Sequence, residues 1–152
     1  MLGYSLVHFI MQDEINFLLS EWVNMILGIG TDIVEIPRIK DSVKRLGDRF
    51  LKRLLTQKEL DRYYEIKHED VAMAYVAKRF AAKEAVAKAL GTGIGRGLSF
   101  QHIEVSNDAL GKPLVSVEPH NSPLLVNPVK WHLSISDEQA YAQAFVILEA
   151  SE

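Results

Sequence analysis

Glu84 and Lys88, a carboxylate and an ammonium four residues apart, are the pair in this sequence best placed for chemistry. Residues four apart share a helix face, and Phe80, one turn earlier, extends the same stripe. On a solvated helix such a pair is worth only about 0.2 to 0.5 kcal/mol. Here, alanines at 72, 74, 77, 81, 82, 85, 87 and 89 leave little side chain to hold neighbours at a distance. The helix is therefore expected to pack closely against other backbone and to enclose Glu84 and Lys88 in part. A second carboxylate, Asp32, stands inside the apolar run from Met25 to Val34. Burial there is costly unless Asp32 meets a cation or several donors, so it is either a structural acceptor or a ligand of a hard metal ion.

The residues around the pair set its position. Nothing from Glu69 to Leu90 is Gly or Pro, strong helix formers fill the stretch, and Gly91 is a natural left-handed cap. The helix then opens into Gly91, Gly93, Gly95 and Gly97, a loop whose bare main chain, with Arg96, suits a phosphate. A helix leading into glycines is the reverse of a phosphate loop that leads into a helix N-terminus, and no strand precedes GTGIG. Neither a P-loop nor a dinucleotide fingerprint fits.

Elsewhere, Met25 to Val34 reads as a buried strand, with Gly28 and Gly30 marking close approach by another element. Ile39, Val43, Leu46, Phe50 and Leu54 fall on one side of two short helices broken at Gly47, and Thr56 to Glu59 has the form of a capping box. Phe100–Val105 and Leu114–Val117 read as a hairpin around the turn residues 107–113. Prolines at 119, 123 and 128 make the next stretch irregular, and Trp131–Ser136 with Tyr141–Leu148 form a last strand pair. The sum is an α+β fold with a largely antiparallel sheet and helices on one side.

With 152 residues, 48% of them hydrophobic, the chain has material for one core. The absence of cysteine excludes disulfide scaffolds, thiolate zinc sites and cysteine nucleophiles, and suits the cytoplasm. A net charge of -3 excludes a general nucleic-acid binder. Residues 38–53 nevertheless hold seven cations against two acids, a basic island that is either a solvated face or a dock for an acidic partner. Residues 1–24 carry no Lys or Arg, and Gln12-Asp13-Glu14 splits their apolar run, so they form neither a secretion signal nor a membrane anchor. They are read as an N-terminal extension, either a short amphipathic helix or a leader without a role, ahead of a domain at 25–152.

Gly30-Thr31-Asp32, followed by Arg79-Phe80-Ala81-Ala82-Lys83-Glu84-Ala85-Val86-Ala87-Lys88, resembles the signature pair of the 4'-phosphopantetheinyl transferases, in their short bacterial form. Gly91-Thr92-Gly93-Ile94-Gly95, Leu98-Ser99-Phe100, Gly111-Lys112-Pro113 and His132-Leu133-Ser134-Ile135-Ser136-Asp137 continue the likeness in order. The resemblance implies transfer of the phosphopantetheine arm of coenzyme A to a serine of apo-acyl carrier protein, with release of adenosine 3',5'-bisphosphate, in support of fatty acid biosynthesis. It implies a magnesium ion on Asp32 and Glu84, and Asp32, Glu84 and Lys88 as the catalytic group. Arg79, Phe80, Lys83, Lys88, Gly91, Gly93 and Ser99 would contact the coenzyme. Arg38, Arg45, Arg49 and Arg53 would receive the carrier protein. Relatives of this length form trimers with sites between subunits, so Asp32, Glu84 and the loop need not face one another within one chain; the general base is left open. Some relatives carry a His near the adenosine bisphosphate where this sequence has Asp137, and many have a helix where it has the prolines of 119–128. The runner-up is a non-catalytic module that holds an acidic protein through its basic face, which metal dependence would separate from an enzyme.

Overall fold

A computed structural model describes residues 25–118 and 122–151; the extension 1–24 lies outside the described residues. The chain runs β1 (Ile26–Glu35), α1 (Ile36–Leu46), α2 (Asp48–Leu54), α3 (Gln57–Glu65) and α4 (Glu69–Ala89). A 3-10 turn (Phe100–His102) then leads into β2 (Ile103–Asn107) and β3 (Pro113–Val117), and a second (Pro123–Leu125) into β4 (Val129–Asp137) and β5 (Tyr141–Ala150). The α+β expectation holds, with every strand pair antiparallel. The strands divide into two sheets, however: β1-β5-β4, with β5 central, and the separate hairpin β2-β3. Pro113 at the start of β3 and the proline-broken stretch before β4 leave these two strands packed beside each other without a ladder.

Register decides which face of β1 does what. Gly28, Gly30, Asp32 and Val34 pair with Leu148, Val146, Ala144 and Ala142, and all of them face α4. Those four β5 side chains are completely buried. A Cβ on Gly30 would lie 1.8 Å from the Ala85 carbonyl oxygen, and one on Gly28 2.0 Å from that of Ala89. The two close-approach signals in the sequence, strand glycines and helix alanines, are thus the two sides of one contact. Gly30→Val is expected to leave little folded protein, because main-chain carbonyls cannot move aside as a side-chain tip can. Wild-type yield and a wild-type thermal midpoint for that variant would refute the contact.

The outer face contradicts the expectation of a fully buried strand. Ile29 and Ile33 on β1, with Tyr141 and Phe145 on β5, are all more than 40% exposed. Ile29 and Ile33 on the outer face are as apolar as a core, so the sequence shows no alternation, although among the described residues only the face toward α4 is covered.

The helices obey local rules. Thr56 Oγ1 accepts from the Glu59 amide and Glu59 Oε2 from the Thr56 amide, closing the expected capping box of α3. Gly91 follows α4 at φ 74, and its amide donates to the Lys88 carbonyl. Gly47, at φ 52, separates α1 from α2.

Candidate active site

The glycine–alanine contact brings Asp32 of β1 beside the exposed stripe of α4. Lys88 Nζ donates to Asp32 Oδ1 at 2.8 Å and to the Thr31 carbonyl at 2.9 Å. Asp32 is mostly enclosed while Lys88 is half exposed, so the pair opens to solvent from one side. Burial first, and the neighbouring Asp32 carboxylate second, hold the Glu84 carboxyl above the usual carboxylate range, with Lys88 drawing it partly back. Asp32, Glu84 and Lys88 therefore meet within one chain, although the trimer implied by the resemblance did not require it.

A carboxyl held up by burial and by a neighbouring acid gains from a cation. Magnesium takes one or two protein carboxylates and fills its remaining positions with water and substrate phosphate oxygens, so two suffice. Among the described residues no cluster of three metal-ligating side chains exists. The donor set fits magnesium bound together with a phosphate-bearing substrate, and does not fit a closed, all-protein metal cage.

Phe80 packs against Phe100, with ring centroids 5.7 Å apart. Beyond Gly91 the loop is held in left-handed backbone through Gly93, Gly95, Arg96 and Gly97, and Gly95 and Leu98 exchange two main-chain hydrogen bonds across its apex. Arg96, at φ 51, sits exposed at that apex. The Thr92 hydroxyl is buried without a partner in the same loop. Ser99 is half-buried, its amide donating to His102 Nδ1.

Arg79 and Lys83 lie on another flank of α4. Arg79 is 7% exposed, stacks over the Tyr75 ring at 4.4 Å and donates through Nη2 to Asn107 Oδ1, while its Nε has no partner. It lines an open cleft of about 270 Å³ together with Lys58, Arg62 and Glu104.

Lys83 corrects the coenzyme set implied by the resemblance. Its side chain has no exposure, and its three N–H donors go to Glu59 Oε2 at 2.6 Å and to the carbonyls of Leu54 and Phe100. With every donor spent inside the core, Lys83 has none for a coenzyme. Glu59 returns the tie, accepting from the amides of Thr56 and Val105 as well. One ion pair thus joins α2, α3, α4 and β2. Sequence reasoning missed it, although Lys83 stands one helical position (100°) off the Glu84 stripe.

The basic island is exposed as expected. Arg38 and Arg45 flank Asp41 and Ser42 on one face of α1, around a shallow cleft of about 370 Å³. Arg49 and Arg53 project from α2. None of these four arginines makes an ion pair among the described residues, whereas the nearby Lys40 and Lys52 do.

Sequence comparison bears on this arrangement directly: residues 28–146 match the 4'-phosphopantetheinyl transferase superfamily. The chain belongs to that superfamily. It is 57% identical over 126 residues to a holo-[acyl-carrier-protein] synthase of Marinomonas sp. (strain MWYL1), covering 83% of this chain and 99% of the relative. A holo-[acyl-carrier-protein] synthase of Shewanella denitrificans is 55% identical over 127 residues, covering 82% and 98%. Among solved structures of the superfamily, the Bacillus anthracis synthase in complex with CoA (3',5'-ADP) superposes with a TM-score of 0.72 at 42% identity, covering 84% of this chain and 99% of that one. The Neisseria meningitidis synthase gives 0.73 at 44%, covering 82% and 99%.

Proposed function

We infer that this chain is a holo-acyl-carrier-protein synthase, moving the 4'-phosphopantetheine arm of coenzyme A to a serine of apo-acyl carrier protein and releasing adenosine 3',5'-bisphosphate. The observation that carries this reading is the convergence of Asp32, Glu84 and Lys88 at the C-terminal half of α4, beside a glycine loop, in a chain of this superfamily. Asp32 and Glu84 would hold magnesium, which when bound supplies positive charge to the diphosphate of the coenzyme.

The chain's own groups divide the remaining work. Lys88, already aimed into the site, neutralises phosphate charge as the serine oxygen attacks the β-phosphorus and the bisphosphate leaves. Main-chain amides of the glycine loop, with Gly91 and Gly93 at its start, approach the phosphates where a Cβ would intervene. Arg79, which lines its own cleft, and the Ser99 side chain would be further contacts for the coenzyme, and Phe80 with Phe100 would wall the site against water. A water held by Glu84 would take the serine proton.

Carrier proteins of this chemistry are acidic, and the four unpaired arginines of α1 and α2 offer a matching surface. Arg45→Glu is expected to raise the half-saturation for carrier protein about tenfold and to flatten its salt dependence, leaving that for coenzyme A within about twofold. An equal rise for the coenzyme would assign this face to the nucleotide. The outer face of β1-β5-β4, exposed among the described residues, is the surface on which three copies would assemble, since an apolar patch on a sheet calls for a partner. Sedimentation at the monomer mass at micromolar concentration would refute the trimer.

The deciding experiment for the activity is a mass spectrum of apo-acyl carrier protein incubated with coenzyme A, magnesium and this protein. A phosphopantetheine-sized gain that disappears in EDTA is expected. Carrier protein that binds but gains no mass would favour the non-catalytic module.

A further inference from the structure

We infer that Asp41 reads the charge pattern of the carrier protein, admitting an acidic segment that sets a non-acidic residue between two acids and rejecting one whose acids run unbroken. This rests on the docking of the carrier to α1 and α2 described above. A face made only of arginines attracts every acidic partner, and so would sort carriers by net charge and by nothing finer. An acid set within that face adds the repulsion that specificity needs.

Arg38, Asp41 and Arg45 stand three and four residues apart on α1. They form one stripe, positive, negative, positive, with the two arginines about 10 Å apart along the axis. Opposite charges at that spacing can pair along a helix. Here they do not: among the described residues neither arginine makes an ion pair, and Asp41 makes no ion pair and no hydrogen bond through its side chain. The three exposed side chains instead border, with Ser42, the open cleft of about 370 Å³. Ser42 Oγ donates to the Arg38 carbonyl at 3.0 Å, so its proton is spent on the helix and Asp41 faces the cleft without a local donor.

The neighbouring charges are committed elsewhere. Lys40, next to Asp41 in sequence, meets Glu69 of α4 at 3.3 Å and Asp70 at 3.5 Å. Asp48, the second acid of the basic island, accepts from the Tyr64 hydroxyl at 3.0 Å and lies 3.8 Å from Lys52. Of the island's two acids, only Asp41 is left open to a partner. Two acids of a carrier can each take one arginine of the stripe. A third acid between them meets the Asp41 carboxylate, whereas an amide, a hydroxyl or an ammonium in that place donates to it.

The test measures half-saturation for apo-acyl carrier protein, and for carriers in which each non-acidic residue between two acids of the acidic segment is changed in turn to Glu. The enzymes compared are wild type, Asp41→Asn and Asp41→Lys. One of the altered carriers should raise the wild-type value about tenfold, and Asp41→Asn should bring that carrier back within about twofold of the unaltered one. Asp41→Lys should prefer the altered carrier. If all three enzymes rank the carriers in the same order, or if wild type is indifferent to every added Glu, the inference fails while the docking face stands. If Arg45→Glu also leaves the carrier's half-saturation unmoved, the docking face itself is misassigned and the inference falls with it.

Discussion

Asp32→Asn and Glu84→Gln are each expected to lower turnover about a hundredfold or more at saturating magnesium while the fold survives. Both carboxylates are proposed to hold one hard cation, and losing such a ligand removes several kcal/mol of transition-state stabilisation, at roughly 1.4 kcal/mol per tenfold. The two variants should differ in stability. Asp32→Asn weakens the ion pair with Lys88. Glu84→Gln removes a carboxyl whose proton is held above the usual range by burial and by Asp32, so ionising it costs the folded state. The folded wild type binds the extra proton between pH 4.5 and the raised pKa, and therefore loses stability as pH rises through that window. Glu84→Gln should accordingly be the more stable protein at neutral pH, without metal, and should lose the advantage as pH falls below the window. Turnover within about threefold of wild type for either variant would remove the metal assignment, and thermal midpoints across pH would check the second effect.

Lys83→Met is expected to lower stability strongly while the protein still folds. Breaking a buried ion pair by deleting one partner costs about 3 to 5 kcal/mol, because the remaining charge is stranded. Here Glu59 would be left 2% exposed with two amide donors and no cation. That is a large part of the roughly 5 to 15 kcal/mol that holds a domain together. Urea unfolding should show the loss as a lower midpoint at unchanged slope, and half-saturation for coenzyme A, measured on the folded fraction, should stay near wild type. A coenzyme value raised tenfold with an unchanged midpoint would return Lys83 to the coenzyme and make Glu59 a minor partner.

These two outcomes also mark how far the sequence could be read. The helix from Glu69, its stop at Gly91, the capping box at Thr56 and the hairpin around Asn107 to Pro113 each rest on a local rule, and each stands in the structure. Asp32 beside Glu84 and Lys88 needed two long-range clues, the strand glycines and the helix alanines, to be recognised as halves of one contact. The pairs Glu59–Lys83 and Lys78–Asp137 had no such clue. Helical periodicity says which residues share a face but not which element that face meets, so Lys83 went with its motif neighbours when its geometry belongs with Glu59. The exposed face of β1 was hidden for another reason: Ile29 and Ile33 are as apolar as a core, and only the register with β5 shows them uncovered.

The pairing of β1 with β5 joins the beginning of the domain to its end. Thr31 Oγ1 bonds the Ala144 carbonyl across 113 positions of sequence. On a ribosome adding about 5 to 20 residues per second, β1 therefore waits several seconds or more for its partner to be made. Throughout that wait its two apolar faces and both its edges are open, and the helices, being local, can form first. Asp32 cannot take its place opposite Ala144 until β5 emerges, so the metal- and phosphate-binding corner is among the last parts of the molecule to exist. A nascent chain stalled before Tyr141 would carry every proposed catalytic side chain and no site.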